Sequence, residues 1–127
     1  MSLTKDLLHS VLIVEDESLI RLETADCLTE AGFIVYEAAN ADEAIRMMEN
    51  HNEIRLVLTD INMPGSMDGL KLSHYVRNRW PPVKIIVTSG HTKVPAHHLP
   101  SGALFLDKPY RPESLARQFH DLIASAA

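Results

Sequence analysis

Five residues, each placed where a short apolar run gives way to polar sequence, could do chemistry together in this chain. Glu15 and Asp16 directly follow Val11-Leu12-Ile13-Val14, and Asp60 follows Leu56-Val57-Leu58-Thr59. Thr88 follows Val83-Lys84-Ile85-Ile86-Val87, and Lys108 stands just beyond Ala103-Leu104-Phe105-Leu106. If these run ends share one edge of a sheet, three carboxylates converge. Close carboxylates repel by about 4 kcal/mol per pair at 4 Å and an effective dielectric of roughly 20, so a cation must be present. Oxygen ligands without histidine or cysteine suit Mg²⁺ or Mn²⁺, which take one or two carboxylates together with waters and phosphate oxygens. Lys108 adds a fixed positive charge placed to pair with Asp60, and Thr88 offers a hydroxyl to an oxygen of a bound phosphoryl group. Taken alone, Asp60 stays open among nucleophile, metal ligand and helix cap.

The elements that must position these residues are legible as an alternation. Five strand-length apolar runs, the four above and Phe33-Ile34-Val35-Tyr36, are separated by segments of helical period. That is the pattern of a parallel sheet covered by helices on both faces. Ser18 to Ala31 reads as the first helix, with Leu19, Leu22, Ala25 and Leu28 as its inner stripe and Gly32 as its stop. Asn40 reads as an N-cap ahead of Ala41-Asp42-Glu43, with Ala44, Ile45 and Met48 facing inward. Asp68 to Arg79 gives a third helix through Leu70, Leu72, Tyr75 and Val76, stopped by Trp80-Pro81-Pro82. Pro112 opens the last helix, where Leu115, Phe119, Leu122 and Ile123 recur. In the crossover between Gly90 and Gly102, Pro95 and Pro100 leave room for only a short helix. The expected fold is therefore α/β, a flavodoxin-like (βα)5 three-layer sandwich with a five-stranded parallel sheet of order 2-1-3-4-5. Ligands of such sheets bind beyond the carboxyl ends of the strands, at the switch point between the first and third.

Composition bounds the rest. The 127 residues, 46% of them hydrophobic, suffice for one domain with its own core. A net charge of −5 without a basic run argues against direct nucleic-acid binding. Cys27 is the only cysteine and reads as a reduced, buried thiol. No apolar stretch reaches membrane-spanning length and the N-terminus lacks the apolar core of a signal peptide, so a cytoplasmic protein is expected. Residues 1–8 read as a flexible segment or a cloning scar, and 9–126 as the domain.

Over that span the chain resembles the receiver domain of two-component response regulators (CheY-like). The resemblance rests on Val-Glu-Asp-Glu at 14–17, Leu-Thr-Asp-Ile-Asn-Met-Pro-Gly at 58–65, Met-Asp-Gly at 67–69, Thr-Ser-Gly at 88–90 and Lys-Pro-Tyr at 108–110. All five occur in order on the expected elements. The resemblance implies that Asp60 accepts a phosphoryl group from a histidine kinase or histidine phosphotransfer protein. It implies that Glu15, Asp16, Asp60 and the Asn62 backbone carbonyl hold Mg²⁺, that Thr88 and Lys108 contact the phosphoryl group, and that Thr88 and Phe105 form a switch. It further implies an output face of fourth helix, fifth strand and fifth helix, a common dimer contact in the family. No turnover of an external substrate is implied.

Two departures stand out. The loop Met63-Pro64-Gly65-Ser66-Met67-Asp68-Gly69 carries one residue more than the usual Met-Pro-x-Met-Asp-Gly, and the fourth crossover, with His97 and His98 between prolines, is atypical. Other readings weigh less. An aspartyl-phosphate phosphohydrolase needs a general acid two residues after its nucleophile, where this chain has Asn62. A pseudo-receiver that only binds is opposed by the intact set Glu15, Asp16, Asp60, Thr88 and Lys108. Glu15-Asp16-Glu17 alone would pass for a solvated turn. His91, His97 and His98 match no closed metal-ligand spacing and read as surface residues. Trp80 reads as a helix-ending cap on the core.

Overall fold

A computed structural model describes residues 9–90 and 93–124. Expectations placed on residues 1–8, on His91 and on the last residues of the domain lie outside them. Five strands, β1 (Ser10–Val14), β2 (Ile34–Ala38), β3 (Ile54–Asp60), β4 (Lys84–Ser89) and β5 (Leu104–Asp107), form one sheet of order β2-β1-β3-β4-β5. All four pairings are parallel. Four α-helices, α1 (Ser18–Glu30), α2 (Ala41–Asn50), α3 (Gly69–Arg79) and α4 (Pro112–Ala124), cover the two faces.

Alternate residues along the central strands feed opposite cores, because successive side chains of a strand point to opposite faces. Leu12, Val14, Val57, Ile85 and Val87 pack with Ala44 and Met48 of α2 and Leu72 and Val76 of α3. Val11, Ile13, Leu56, Leu58 and Ile86 pack with Ala25 and Leu28 of α1 and Leu115 and Phe119 of α4. β1 is buried along its whole length, so its sequence has no polar face to show. Among the described residues, no helix is long and apolar enough to cross a membrane.

Helix ends are set by local chemistry. Asn40 Oδ1 accepts from the Glu43 N–H at 2.9 Å, and Glu43 Oε1 accepts from the Ala39 N–H at 2.7 Å, a reciprocal cap. α1 closes with the Phe33 N–H on Leu28 O and the Gly32 N–H on Thr29 O, which requires the left-handed φ of +100° that Gly32 adopts. This turn delivers Phe33 edge-on to Phe119, ring centroids 5.7 Å apart. Trp80 caps α3 and packs against the core, with the Arg79 guanidinium 5.2 Å from its ring centroid.

Two expectations need correcting. Leu19 and Leu22 are 77% and 49% exposed, and the inner stripe of α1 is Thr24, Ala25 and Leu28. The cause is geometric: each i+3 step falls about 60° short of a full turn, so three steps carry Leu19 about 180° around the helix from Leu28. Cys27 is half-buried rather than buried; partial burial, with Glu113 and Glu30 nearby, pushes its thiol pKa up. The fourth crossover carries the short helix expected between Pro95 and Pro100 as a single 3₁₀ turn, Ala96–His98, and no α-helix among its described residues. It is tied to α3 instead: His74 Nε2 lies 2.7 Å from His98 O, and Arg77 Nε donates to Ser101 O at 2.8 Å.

Candidate functional site

At the carboxyl edge of the sheet, β1 and β3 are neighbours, and Asp60 is the register partner of Thr88 on β4. The chain directions alone therefore bring Glu15, Asp16, Asp60 and Thr88 to one edge. Carboxylate oxygens of Glu15, Asp16 and Asp60 all lie within 4.8 Å of one another. Glu15, Asp60 and Thr88 are buried, at 3%, 6% and 2% exposure, whereas Asp16 is open to solvent.

Lys108 reaches this cluster from the loop after β5, following a hydrogen bond from its own N–H to Ser89 O. Its Nζ lies 2.6 Å from Glu15 Oε1 and 3.1 Å from Asp60 Oδ2. The sequence argument paired Lys108 with Asp60 alone; the structure adds Glu15 and makes it the shorter contact. Burial by itself would lower the Lys108 pKa, but the hydrogen bond to Glu15 and the charges of Asp60 and Glu15 outweigh it and hold the ammonium above its ordinary 10.5. Burial raises the Glu15 pKa, against the hydrogen bonds from Lys108 and the Glu17 N–H. One lysine thus faces three acids, and the remaining excess of negative charge on hard oxygen donors fits Mg²⁺ or Mn²⁺.

Asn62 N–H donates to Asp60 Oδ1 at 3.3 Å, and its amide Nδ2 donates to Ser89 Oγ at 3.3 Å, so the loop after β3 folds back over the strand end. The longer loop leans on α2: Ser66 Oγ donates to Asp42 Oδ1 at 2.8 Å, and Gly65 takes φ +113° beside Asn40. Phe105, in register with Val87, is half-buried against the core on the α2 and α3 face.

Three further residues surround the cluster: Gly69 and Tyr110, which the motifs contain without a role of their own, and Arg21, which lies outside the motifs. Gly69 N–H donates to Ile61 O at 2.9 Å, and a Cβ on Gly69 would stand 1.7 Å from Asp60 O. Arg21 Nη1 donates to Glu15 O at 2.8 Å. Tyr110 shares a 3.2 Å hydroxyl hydrogen bond with the buried Thr24 of α1, tethering the Lys108 loop beside a cavity of about 410 Å³. A glycine opening a helix and an arginine in an otherwise acid-favoured helix start were the available signals.

Burial pushes the Tyr110 phenol above its ordinary 10.0. The neutral phenol is the form the fold prefers. Its stabilisation is therefore complete below about pH 10 and is lost as pH rises through the folded-state value. The raised Lys108 value acts in the same direction. Urea midpoints measured from pH 8 to 11 should fall on the alkaline side, and less steeply in Tyr110→Phe; identical slopes would refute the assignment.

The response regulator receiver domain family matches residues 11–120. The chain is 36% identical over 118 residues to the sensor kinase CckA of Brucella abortus, covering 90% of this chain and 12% of that protein. It is 35% identical over 103 residues to the transcriptional regulatory protein PdtaR of Mycobacterium tuberculosis, covering 79% of this chain and 49% of that one. Among solved structures, it is similar to a CheY-like response regulator receiver domain protein of Methanospirillum hungatei, with TM-score 0.84 and 28% identity, covering 94% of this chain and 96% of that one. It is also similar to the receiver domain of the hybrid histidine kinase CckA, with TM-score 0.74 and 33% identity, covering 88% and 96%. The chain spans less than half the length of each of these full-length relatives.

Proposed function

The chain belongs to the response regulator receiver domain family, and from that premise we propose that Asp60 is its phosphoacceptor in a Mg²⁺-dependent transfer from a phosphohistidine donor. The observation that carries this reading is the buried Asp60 carboxylate held between Lys108 and the Asn62 N–H, beside two further acids. An Asp60 oxygen attacks phosphorus, the P–N bond of the donor breaks as the P–O bond forms, and a proton goes to the leaving imidazole. The product is an acyl phosphate on Asp60.

Phosphoryl transfer asks for positioning and charge stabilisation more than for covalent help. Glu15, Asp16, Asp60 and the Asn62 carbonyl are the proposed Mg²⁺ ligands; the ion would neutralise phosphoryl oxygens. Lys108 offsets charge on a second phosphoryl oxygen, and the Thr88 hydroxyl donates to a third. Thr88 moving toward that oxygen frees space for Phe105 to turn inward, a population shift toward the loop arrangement that binds phosphate better. The proposed unit is residues 9–126, acting in the cytoplasm without direct nucleic-acid contact or turnover of an external substrate. It serves as a single-domain regulator or as the receiver part of a longer regulator or hybrid kinase.

The proposed docking surface for the donor, a histidine kinase or phosphotransfer protein, is α1. The exposed Leu19 and Leu22 lie on the helix that begins at the acid pair, next to the cavity beside Lys108. A homodimer would use the β5 side, where Leu104 is 45% exposed on the sheet edge; sedimentation with and without a phosphoryl mimic tests that contact.

The chemistry is tested directly. Incubated with Mg²⁺ and a small phosphodonor, the protein should gain one acid-stable, base-labile phosphate, and Asp60→Asn should gain none. Equal labelling of the variant would sink the assignment.

A further inference from the structure

We infer that Arg21 is a positioning residue for the phosphorylation site, holding the Glu15-Asp16 turn in the shape that binds the divalent cation. The inference rests on the Mg²⁺ reading above and goes beyond it, because Arg21 touches neither the acids' carboxylate cluster nor Asp60.

Three elements meet at this guanidinium. Arg21 lies in α1, its Nη1 donates to the carbonyl of Glu15 at the end of β1, and its Nε donates to Glu37 Oε1 of β2 at 3.1 Å. Glu15 N–H donates to Ala38 O, also of β2, at 3.0 Å. The amide and the carbonyl of Glu15 are thus both anchored to β2, the first directly and the second through Arg21 and Glu37. The side chain of Arg21 is 19% exposed and that of Glu37 36%, so this is a partly sheltered forked contact rather than a solvated surface pair.

The position of Arg21 makes a helix-stabilising role a poor explanation. It is the fourth residue of α1, whose first turn carries no acid and whose N-cap residue Glu17 makes no side-chain capping bond. The amino end of a helix favours anions and disfavours cations. A cation there is better explained by its tertiary contacts, and the contact it makes is to the backbone of a metal-ligand candidate.

Charge and position predict opposite outcomes, which makes the inference testable. As a nearby positive charge, Arg21 opposes cation binding, and removing it should tighten Mg²⁺. As the anchor of the Glu15 carbonyl, it supports the ligand geometry, and removing it should weaken Mg²⁺ by roughly tenfold, the scale of lost outer contacts at metal sites. Calorimetric Mg²⁺ titration of wild type, Arg21→Lys and Arg21→Gln should give affinities in that descending order, because the long lysine side chain keeps one donor within reach of the Glu15 carbonyl but not the fork, and the shorter glutamine keeps neither. Glu37→Gln keeps an acceptor for Nε and should shift affinity less, in the same direction.

Without Mg²⁺, the backbone amides of Asp16 and Glu17 should exchange hydrogen faster in Arg21→Gln and Arg21→Lys than in wild type. Labelling of the variants by a small phosphodonor should be slow at limiting Mg²⁺ and recover when Mg²⁺ is saturating. Unchanged exchange at Asp16 and Glu17, or a Mg²⁺ affinity in Arg21→Gln equal to or tighter than wild type, would overturn the inference. Failure of wild type itself to bind Mg²⁺ would instead strike the Mg²⁺ reading, while the exchange rates would still decide whether Arg21 holds the turn.

Discussion

Gly69→Ala should melt the protein at a temperature about 10 °C lower and leave Asp60 poorly phosphorylated. The added methyl would stand 1.7 Å from Asp60 O, 2.5 Å from Asp60 C and 2.9 Å from Ile61 Cα. All three are backbone atoms, so no flexible side chain can yield. Either the start of α3 or the end of β3 must move, and the hydrogen bond from Gly69 N–H to Ile61 O goes with it. Alanine in place of glycine gains about 1 kcal/mol of helix propensity. Against that stand the lost hydrogen bond, about 1 kcal/mol, and overpacking of roughly 3 kcal/mol for a clash with rigid backbone. The balance is a loss of about 3 kcal/mol, on the order of 10 °C for a domain of this size. The phosphorylation defect follows because a displacement of about 1 Å at a reacting group costs roughly a hundredfold in rate. Thermal melts and phosphodonor labelling check both arms; a variant that melts at or above the wild-type temperature would show that the strand end and helix are not in contact.

Lys108→Met is the second large effect, and its signature is a dependence on Mg²⁺. The substitution keeps an unbranched side chain one atom shorter and removes the only ammonium in contact with Glu15 and Asp60 among the described residues. Removing one partner of a buried charged pair costs about 3 to 5 kcal/mol, because the charges left behind have been taken out of water without compensation. Here the acids left behind are also mutually repulsive. In chelator the variant should therefore melt well below wild type. Adding Mg²⁺ should restore most of that difference, and the ion should bind more tightly than to wild type because the competing ammonium is gone. Labelling by a small phosphodonor should be slowed even at saturating Mg²⁺, since the second phosphoryl oxygen loses its cation. Equal Mg²⁺-induced stabilisation of variant and wild type would contradict this account.

What could be read without coordinates follows from how each feature is encoded. The strands announce themselves as apolar runs, and a parallel arrangement then sends every run end to one edge. Glu15, Asp16, Asp60 and Thr88 could accordingly be brought together on paper, and the order β2-β1-β3-β4-β5 with them. The inner face of α1 was misjudged because steps of three residues look periodic in a sequence while winding around a helix; Leu19 and Leu22 followed that false stripe outward. The roles of Gly69 and Arg21 are not legible for a different reason. Both act on backbone atoms of a distant segment, Asp60 and Glu15, and a contact to a carbonyl leaves no complementary residue type to recognise. The pairing of Lys108 with Glu15 likewise depends on which acid lies nearer once the loop after β5 has been placed.

The tether of the fourth crossover has a bearing on how this domain can diversify. Its hold on α3 runs from the side chains of His74 and Arg77 to the main-chain oxygens of His98 and Ser101. Any residue supplies such an oxygen. Substitutions at positions 97, 98 and 101 can therefore alter the surface offered to a partner without loosening the segment, while at the carboxyl edge of the sheet a side chain at position 69 would run into the backbone of Asp60. Recognition and chemistry are thereby free to evolve at different rates within one small domain.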